Sequence, residues 1–82
     1  MKIEIRKPAI KDLKKIALDD RDLIHKKILE LEKFPDVQNV KKLTEYEPAY
    51  RFRAGNFRVL FDVINDKIMI GRVILRKDSY RK

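Results

Sequence analysis

Residues 50–61 read Tyr50-Arg51-Phe52-Arg53-Ala54-Gly55-Asn56-Phe57-Arg58-Val59-Leu60-Phe61, and their alternation decides the fold. Two runs rich in aromatic and β-branched residues flank a Gly-Asn pair, the pattern of a hairpin with a two-residue loop. Such a loop sets Ala54 opposite Phe57, Arg53 opposite Arg58, Phe52 opposite Val59, Arg51 opposite Leu60 and Tyr50 opposite Phe61. Side chains alternate between the two faces of a strand. Tyr50, Phe52, Ala54, Phe57, Val59 and Phe61 therefore share a face suited to a core. Arg51, Arg53 and Arg58 share the other. Two arginines placed directly opposite repel, a conflict that an anionic ligand would turn into attraction. A wet sheet face also tolerates arginine, whose stem lies along the surface. Three arginines with no carboxylate among them weigh toward the ligand.

A third strand extends the hairpin. Asn65-Asp66 marks a second tight turn, so that three strands fill the stretch from Tyr50 to Tyr80. With a two-residue loop there, Val63 meets Ile68 and Phe61 meets Ile70. Simple alternation then puts Arg76 on the face away from Arg58. A bulge in the last strand, near Gly71, or an early end to that strand would bring Arg76 round.

The N-terminal half reads as one strand and two helices. Lys2 to Arg6 alternates, with Ile3 and Ile5 on one face. Pro8 suits a first helical turn, and Ile10, Leu13, Ile16 and Ala17 recur at helical spacing, predicting a helix from Pro8 to Leu18. Asp19-Asp20 offers an N-cap for a second helix, with Asp22 in its first turn and Leu23, Ile24, Ile28 and Leu31 as its apolar stripe. Pro35 ends it near Lys33 or Phe34. The short connection predicts an antiparallel helix pair. Residues 36–48 form a polar connector that holds a short turn of helix or a strand. The order β-α-α-β-β-β predicts an α+β fold: a small twisted antiparallel sheet with a helical hairpin on one face, and residues 1–82 as a single domain.

Composition narrows the chemistry. The 82 residues carry a formal charge of +8 and no cysteine, which excludes disulfides and thiolate metal sites. The charge is uneven. Residues 1–48 hold 12 Lys and Arg against 10 Asp and Glu, a net of +2; residues 49–82 hold 9 against 3, a net of +6. An excess concentrated on the sheet half favours a polyanion, nucleic acid or an acidic protein. His25 stands alone beside Lys26 and Lys27, so it reads as a surface residue and no metal site is expected. No apolar run resembles a signal peptide or could span a bilayer, so a soluble, cytoplasmic protein with no membrane partner is expected.

The run from Tyr50 to Phe61, the closing Leu75-Arg76-Lys77-Asp78-Ser79-Tyr80-Arg81 and the segment Lys41-Lys42-Leu43 resemble the RelE/ParE toxin superfamily, and most of all its RelE branch. The resemblance covers nearly the whole chain. It implies a toxin of a type II toxin–antitoxin pair that enters the ribosomal A site and cuts mRNA, using the RNA's own 2′-hydroxyl as nucleophile, with no metal or other cofactor. Arg58 would correspond to the central catalytic arginine, Arg76 and Tyr80 to the C-terminal arginine and tyrosine, and Arg51 and Arg53 to the basic strand residues. Arg51, Arg53, Lys41, Lys77 and Arg81 would bind RNA. Relatives often carry histidine or lysine just before the C-terminal arginine, where this chain has Leu75. Some carry lysine where it has Arg51 or Arg53, and arginine hardly ever deprotonates. The implied partners are the ribosome, mRNA and an acidic RelB-like antitoxin in a toxin–antitoxin hetero-oligomer. Two other readings stand beside this one: a ParE-like protein that poisons DNA gyrase, and a decayed toxin serving as a binding module for RNA or protein.

Overall fold

The structure, a computed structural model, describes residues 1–43 and 48–76. The chain runs β1 (Lys2–Ile5), α1 (Lys7–Lys14), α2 (Leu18–Glu30), a 3-10 turn (Leu31–Lys33), β2 (Val40–Lys42), β3 (Tyr50–Ala54), β4 (Phe57–Ile64) and β5 (Lys67–Leu75). The five strands form one sheet in the order β1-β5-β4-β3-β2. The α+β class and the helices on one face agree with the sequence reading. Two features refine it. The connector supplies a short edge strand, β2, and β1 pairs with β5 in parallel, so the sheet is not wholly antiparallel.

The two turns fix the register. Gly55 has φ of +61°, matching a hairpin turn that needs glycine at its first central position. Asn65 and Asp66 both have positive φ, 50° and 62°, as a type I′ turn demands. The resulting pairs include Arg53 with Arg58, Phe52 with Val59, Tyr50 with Phe61 and Val63 with Ile68, as the sequence predicts. Between Leu60 and Phe61 the register slips by one: Phe61 pairs with Ile70 but Leu60 pairs with Arg72. Gly71 is the extra residue of this β-bulge. Beyond it Val73 turns to the core beside Val59, while Ile74 joins Arg58 on the opposite face.

The core lies between the sheet and the helices. Phe52, Val59, Phe61, Ile68 and Ile70 from the strands meet Ala9, Leu13, Ile24, Ile28 and Leu31 from the helical side, all buried. Each large apolar side chain buried this way contributes about 1.5–3 kcal/mol. Phe34 closes one end, edge-on to both Tyr50 and Phe61, with ring centroids 5.3 and 5.7 Å away, while Tyr50 and Phe61 stack at 5.2 Å.

The helix limits differ from the sequence reading. α1 ends at Lys14, not Leu18, because other groups take its last carbonyls. The Lys15 N–H closes on the Asp12 and Leu13 carbonyls, and the Arg21 guanidinium from α2 donates to the Lys14 and Ile16 carbonyls at 3.3 and 3.0 Å. α2 begins one residue before Asp19, with Ala17 at the N-cap position; Asp19 and Asp20 lie in the first turn and act on the helix dipole instead of capping it. The apolar stripes shift accordingly. Ala9 and Leu13 are the buried residues of α1, whereas Ile10, Ala17 and Leu23 are exposed. His25 is exposed, as expected. Among the described residues, no helix is long and apolar enough to cross a membrane.

Candidate functional site

The face of the sheet away from the helices carries the site. β3 contributes Arg51 and Arg53, β4 contributes Arg58, and β2 places Lys41 opposite Arg51. Arg76 follows β5, where its N–H donates to the Asn56 carbonyl at 2.7 Å and ties the strand's end to the Gly55-Asn56 turn. The Gly71 bulge carries Arg76 to this side, resolving the mismatch in simple alternation. Arg51, Arg53, Arg58, Arg76 and Lys41, with Asn39 and Val40, line one cleft of about 230 Å³. Asn39 sits in the left-handed region, φ 66°, and its carbonyl accepts from the Arg53 N–H at 3.1 Å, which fixes the cleft's outer edge.

Burial separates these cations. Arg53 is exposed and Arg51 half-buried, while Arg58 is only 6 % exposed. The face is thus less open than alternation alone suggests, because Arg58 forms the floor between neighbouring strands. A guanidinium so removed from water interacts more strongly with a ligand's charge than one at the surface. Among the described residues, Arg51 and Arg53 make no ion pair, and no histidine or carboxylate lines the cleft. The arrangement can bind adjacent phosphates and stabilise charge that builds on one of them. Tyr80, Lys77 and Arg81 lie outside the described residues.

Sequence reasoning missed the group that holds β5 in place beyond the bulge. β1 covers β5 only through Ile70, which leaves the strand's later edge uncovered. Asp12 of α1 closes it, accepting from the Val73 N–H at 2.9 Å and from Arg72 Nε at 2.7 Å and Nη2 at 3.0 Å. Burial pushes the Asp12 carboxyl up. The Arg72 and Val73 hydrogen bonds, with the charges of Arg72 and Lys15, outweigh that and hold it below its ordinary value. The same hydrogen bond raises Arg72. Nothing in the local pattern of α1 marks Asp12 for this role, since its partners lie about 60 residues away. The Asn39 turn did leave a signal: asparagine tolerates the left-handed region.

Comparison with known proteins gives the family. Residues 3–80 match a family model described as the ParE toxin of type II toxin–antitoxin system, parDE. Toxin RelE3 of Methanocaldococcus jannaschii is 33% identical over 84 residues, which span 98% of this chain and 96% of the relative. The toxin fold in the RelB-RelE antitoxin–toxin complex from Methanococcus jannaschii aligns with a TM-score of 0.76 at 32% identity, covering 93% of each chain. The RelBE2 complex from Mycobacterium tuberculosis aligns at 0.75 with 20% identity, covering 92% and 96%, and shares the fold. The chain therefore belongs to the RelE/ParE superfamily of type II toxin–antitoxin toxins.

Proposed function

We propose that this toxin is a ribosome-dependent mRNA endonuclease of the RelE type. The observation that carries the reading is the cleft in which a buried Arg58 is ringed by Arg51, Arg53, Arg76 and Lys41. In the reaction the ribose 2′-oxygen attacks the adjacent phosphorus and the bond to the 5′-oxygen breaks. The 2′-hydroxyl proton leaves, and the departing 5′-oxygen gains one. Negative charge on the phosphoryl oxygens peaks in the transition state. A fixed guanidinium stabilises it most at that point, and removing one well-placed donor typically costs about 2.7–4 kcal/mol of barrier. Arg58, buried near the start of β4 and paired across it with Arg53, takes this role. Arg51, Arg53 and Lys41 grip neighbouring phosphates, and Arg76 serves the leaving oxygen. Tyr80 stacks on a base or orients the 2′-hydroxyl.

No group lining the described cleft is a base near neutral pH. Proton removal then falls to Tyr80 or to the ribosome, which also orients the RNA. This explains why ribosomes would be required. The family model bears the ParE name, but the 33%-identical relative, aligned over nearly the entire chain, is a RelE toxin, and the 32%-identical structure is a RelB-RelE complex. That favours the nuclease over gyrase poisoning. The solved RelB-RelE complex supports a dedicated antitoxin partner, acidic enough to cover the arginines.

A translation extract tests the proposal. The protein should cut mRNA only when ribosomes are present, and Arg58→Ala should lower the rate by about 10²–10³-fold with an unchanged circular dichroism spectrum. Cutting of naked RNA, full activity of the variant, or DNA breaks that depend on gyrase would each reject it.

A further inference from the structure

The cationic cleft occupies one end of the open face, and a second pocket of different character occupies the other. On β4 the outward residues run Arg58, Leu60, Asp62 and Ile64, so Asp62 stands about 13 Å along the strand from Arg58 at about 3.3 Å per residue. Asp62 lines a pocket of about 320 Å³ with Pro48, Ile64 and Met69 and with two cations, Arg6 and Arg72, the latter bound to Asp12. Its cross-strand partner is Met69, on the same face. Asp62 Oδ1 accepts from the Ala49 N–H at 2.6 Å, and the Ala49 carbonyl accepts from the Leu43 N–H at 2.6 Å. The carboxylate is thereby oriented. Its other oxygen makes no hydrogen bond to a described residue.

We infer that this pocket is a base-recognition subsite for the RNA strand whose backbone runs through the arginine cleft, with Asp62 as its specificity-determining residue. The inference rests on the nuclease reading and names what that site selects. Sequence-specific recognition of RNA works on unstacked bases, held by a flat apolar contact and read along their pairing edge. Met69, Ile64 and Pro48 supply the apolar walls. Asp62, ionised, offers only acceptors. A base with adjacent N–H donors on its pairing edge satisfies it, and guanine presents two, N1–H and the N2 amino group. Uracil presents one donor flanked by two carbonyl oxygens, which a carboxylate repels. Arg6, exposed among the lining residues, suits the phosphate of the bound nucleotide. Leu60, half-buried between the cleft and the pocket, gives the intervening strand an apolar floor.

The anchoring of Ala49 is the competing role for Asp62, and Asp62→Asn separates the two. Asparagine keeps a carbonyl oxygen for the Ala49 N–H but replaces the free acceptor with a donor. The experiment compares wild type and variant on ribosome-bound mRNAs randomised around the reading site, sequencing every cut end. The wild type should enrich guanine at one position near, but not at, the scissile phosphate. The variant should lose that preference by about tenfold, as expected for one bidentate base contact, with uracil-bearing sites cut as before. A uniform fall across all sequences would mean that Asp62 only anchors the connector, and an unchanged profile would likewise overturn the subsite. If the wild type makes no cuts, the nuclease reading itself falls; if it cuts with no base preference near the site, the subsite alone falls.

Discussion

The two faces of this sheet are built from alternate residues of the same strands, yet they obey different rules. On the helix side, Phe52, Val59, Phe61, Ile68 and Ile70 lose essentially all exposure, and every neighbour reinforces its neighbours. On the other side Arg53 faces Arg58, and Arg58 is taken almost out of water beside further cations. Like-charge pairing across strands costs free energy. The first face secures the fold. The second departs from what folding alone would select, which is where functional residues are expected. Exchanging the properties of the two faces therefore tests the division directly.

The largest effect belongs to the helix side. Phe61 is fully buried and touches both Phe34 and Tyr50 ring to ring. Phe61→Ala removes the ring and leaves a cavity, at a cost of about 3–5 kcal/mol. A domain of this length has a total stability of only about 4–12 kcal/mol. Urea titration should show the midpoint fall by about a quarter or more of its wild-type value. A loss under about 1 kcal/mol would mean that the aromatic cluster does not anchor the sheet.

Legibility in the sequence followed the same division. The helix-side face was readable because period-two apolar residues and two turn pairs, Gly55-Asn56 and Asn65-Asp66, are local signals. The arginine face was readable from the conflict of Arg53 with Arg58. The Gly71 bulge could be anticipated because Arg76 otherwise fell on the wrong side. Less legible were features that depend on distant partners. The three-residue β2, with Val40 its lone apolar side chain, is a strand only because Phe52, Arg51 and Tyr50 pair with it. The parallel pairing of β1 with β5 joins residues about 65 apart. α1 stops four residues short of the expected end at Leu18, where Arg21, on the next helix, takes the Lys14 and Ile16 carbonyls. The burial of Arg58 depends on tertiary packing in a cleft it shares with Asn39 and Lys41, which no strand pattern encodes.

A smaller effect lies where the two faces meet at the sheet's edge. Asp12 reaches from α1 to the Val73 N–H and to Arg72, just beyond the bulge that presents Arg76. Asp12→Ala leaves that backbone donor without its partner, at about 1–2 kcal/mol. Asp12→Asn keeps an acceptor for the Val73 N–H but sets an NH2 against Arg72 Nη2, losing the charge and one exposed hydrogen bond, under about 1 kcal/mol given the exposure of Arg72. Asp12 titrates below its ordinary 3.8 in the folded protein. Its charged contribution is therefore complete above that value and is lost as pH falls through the lower, folded one. Urea midpoints should show the gap between wild type and Asp12→Asn at pH 7 closing in acid. A gap that stayed constant with pH would exclude the ionised pair as its source.

The smallest effect has the opposite sign, and it bears most directly on the contrast between the faces. Arg53→Thr removes one member of the facing arginine pair and substitutes a residue that suits an exposed strand. Relief of like-charge repulsion should raise stability by about 0.2–1 kcal/mol. The gain should shrink with added salt, because ions screen the exposed partner. Under the proposed nuclease reading the same variant should cut mRNA more slowly, because Arg53 would no longer grip a phosphate. Urea midpoints at low and high salt, set beside ribosome-dependent cutting rates, measure both. Stability falling together with activity would show that Arg53 serves the fold. A rise in one and a loss in the other would show that the open face holds its cations together against their mutual repulsion for the sake of an anionic ligand.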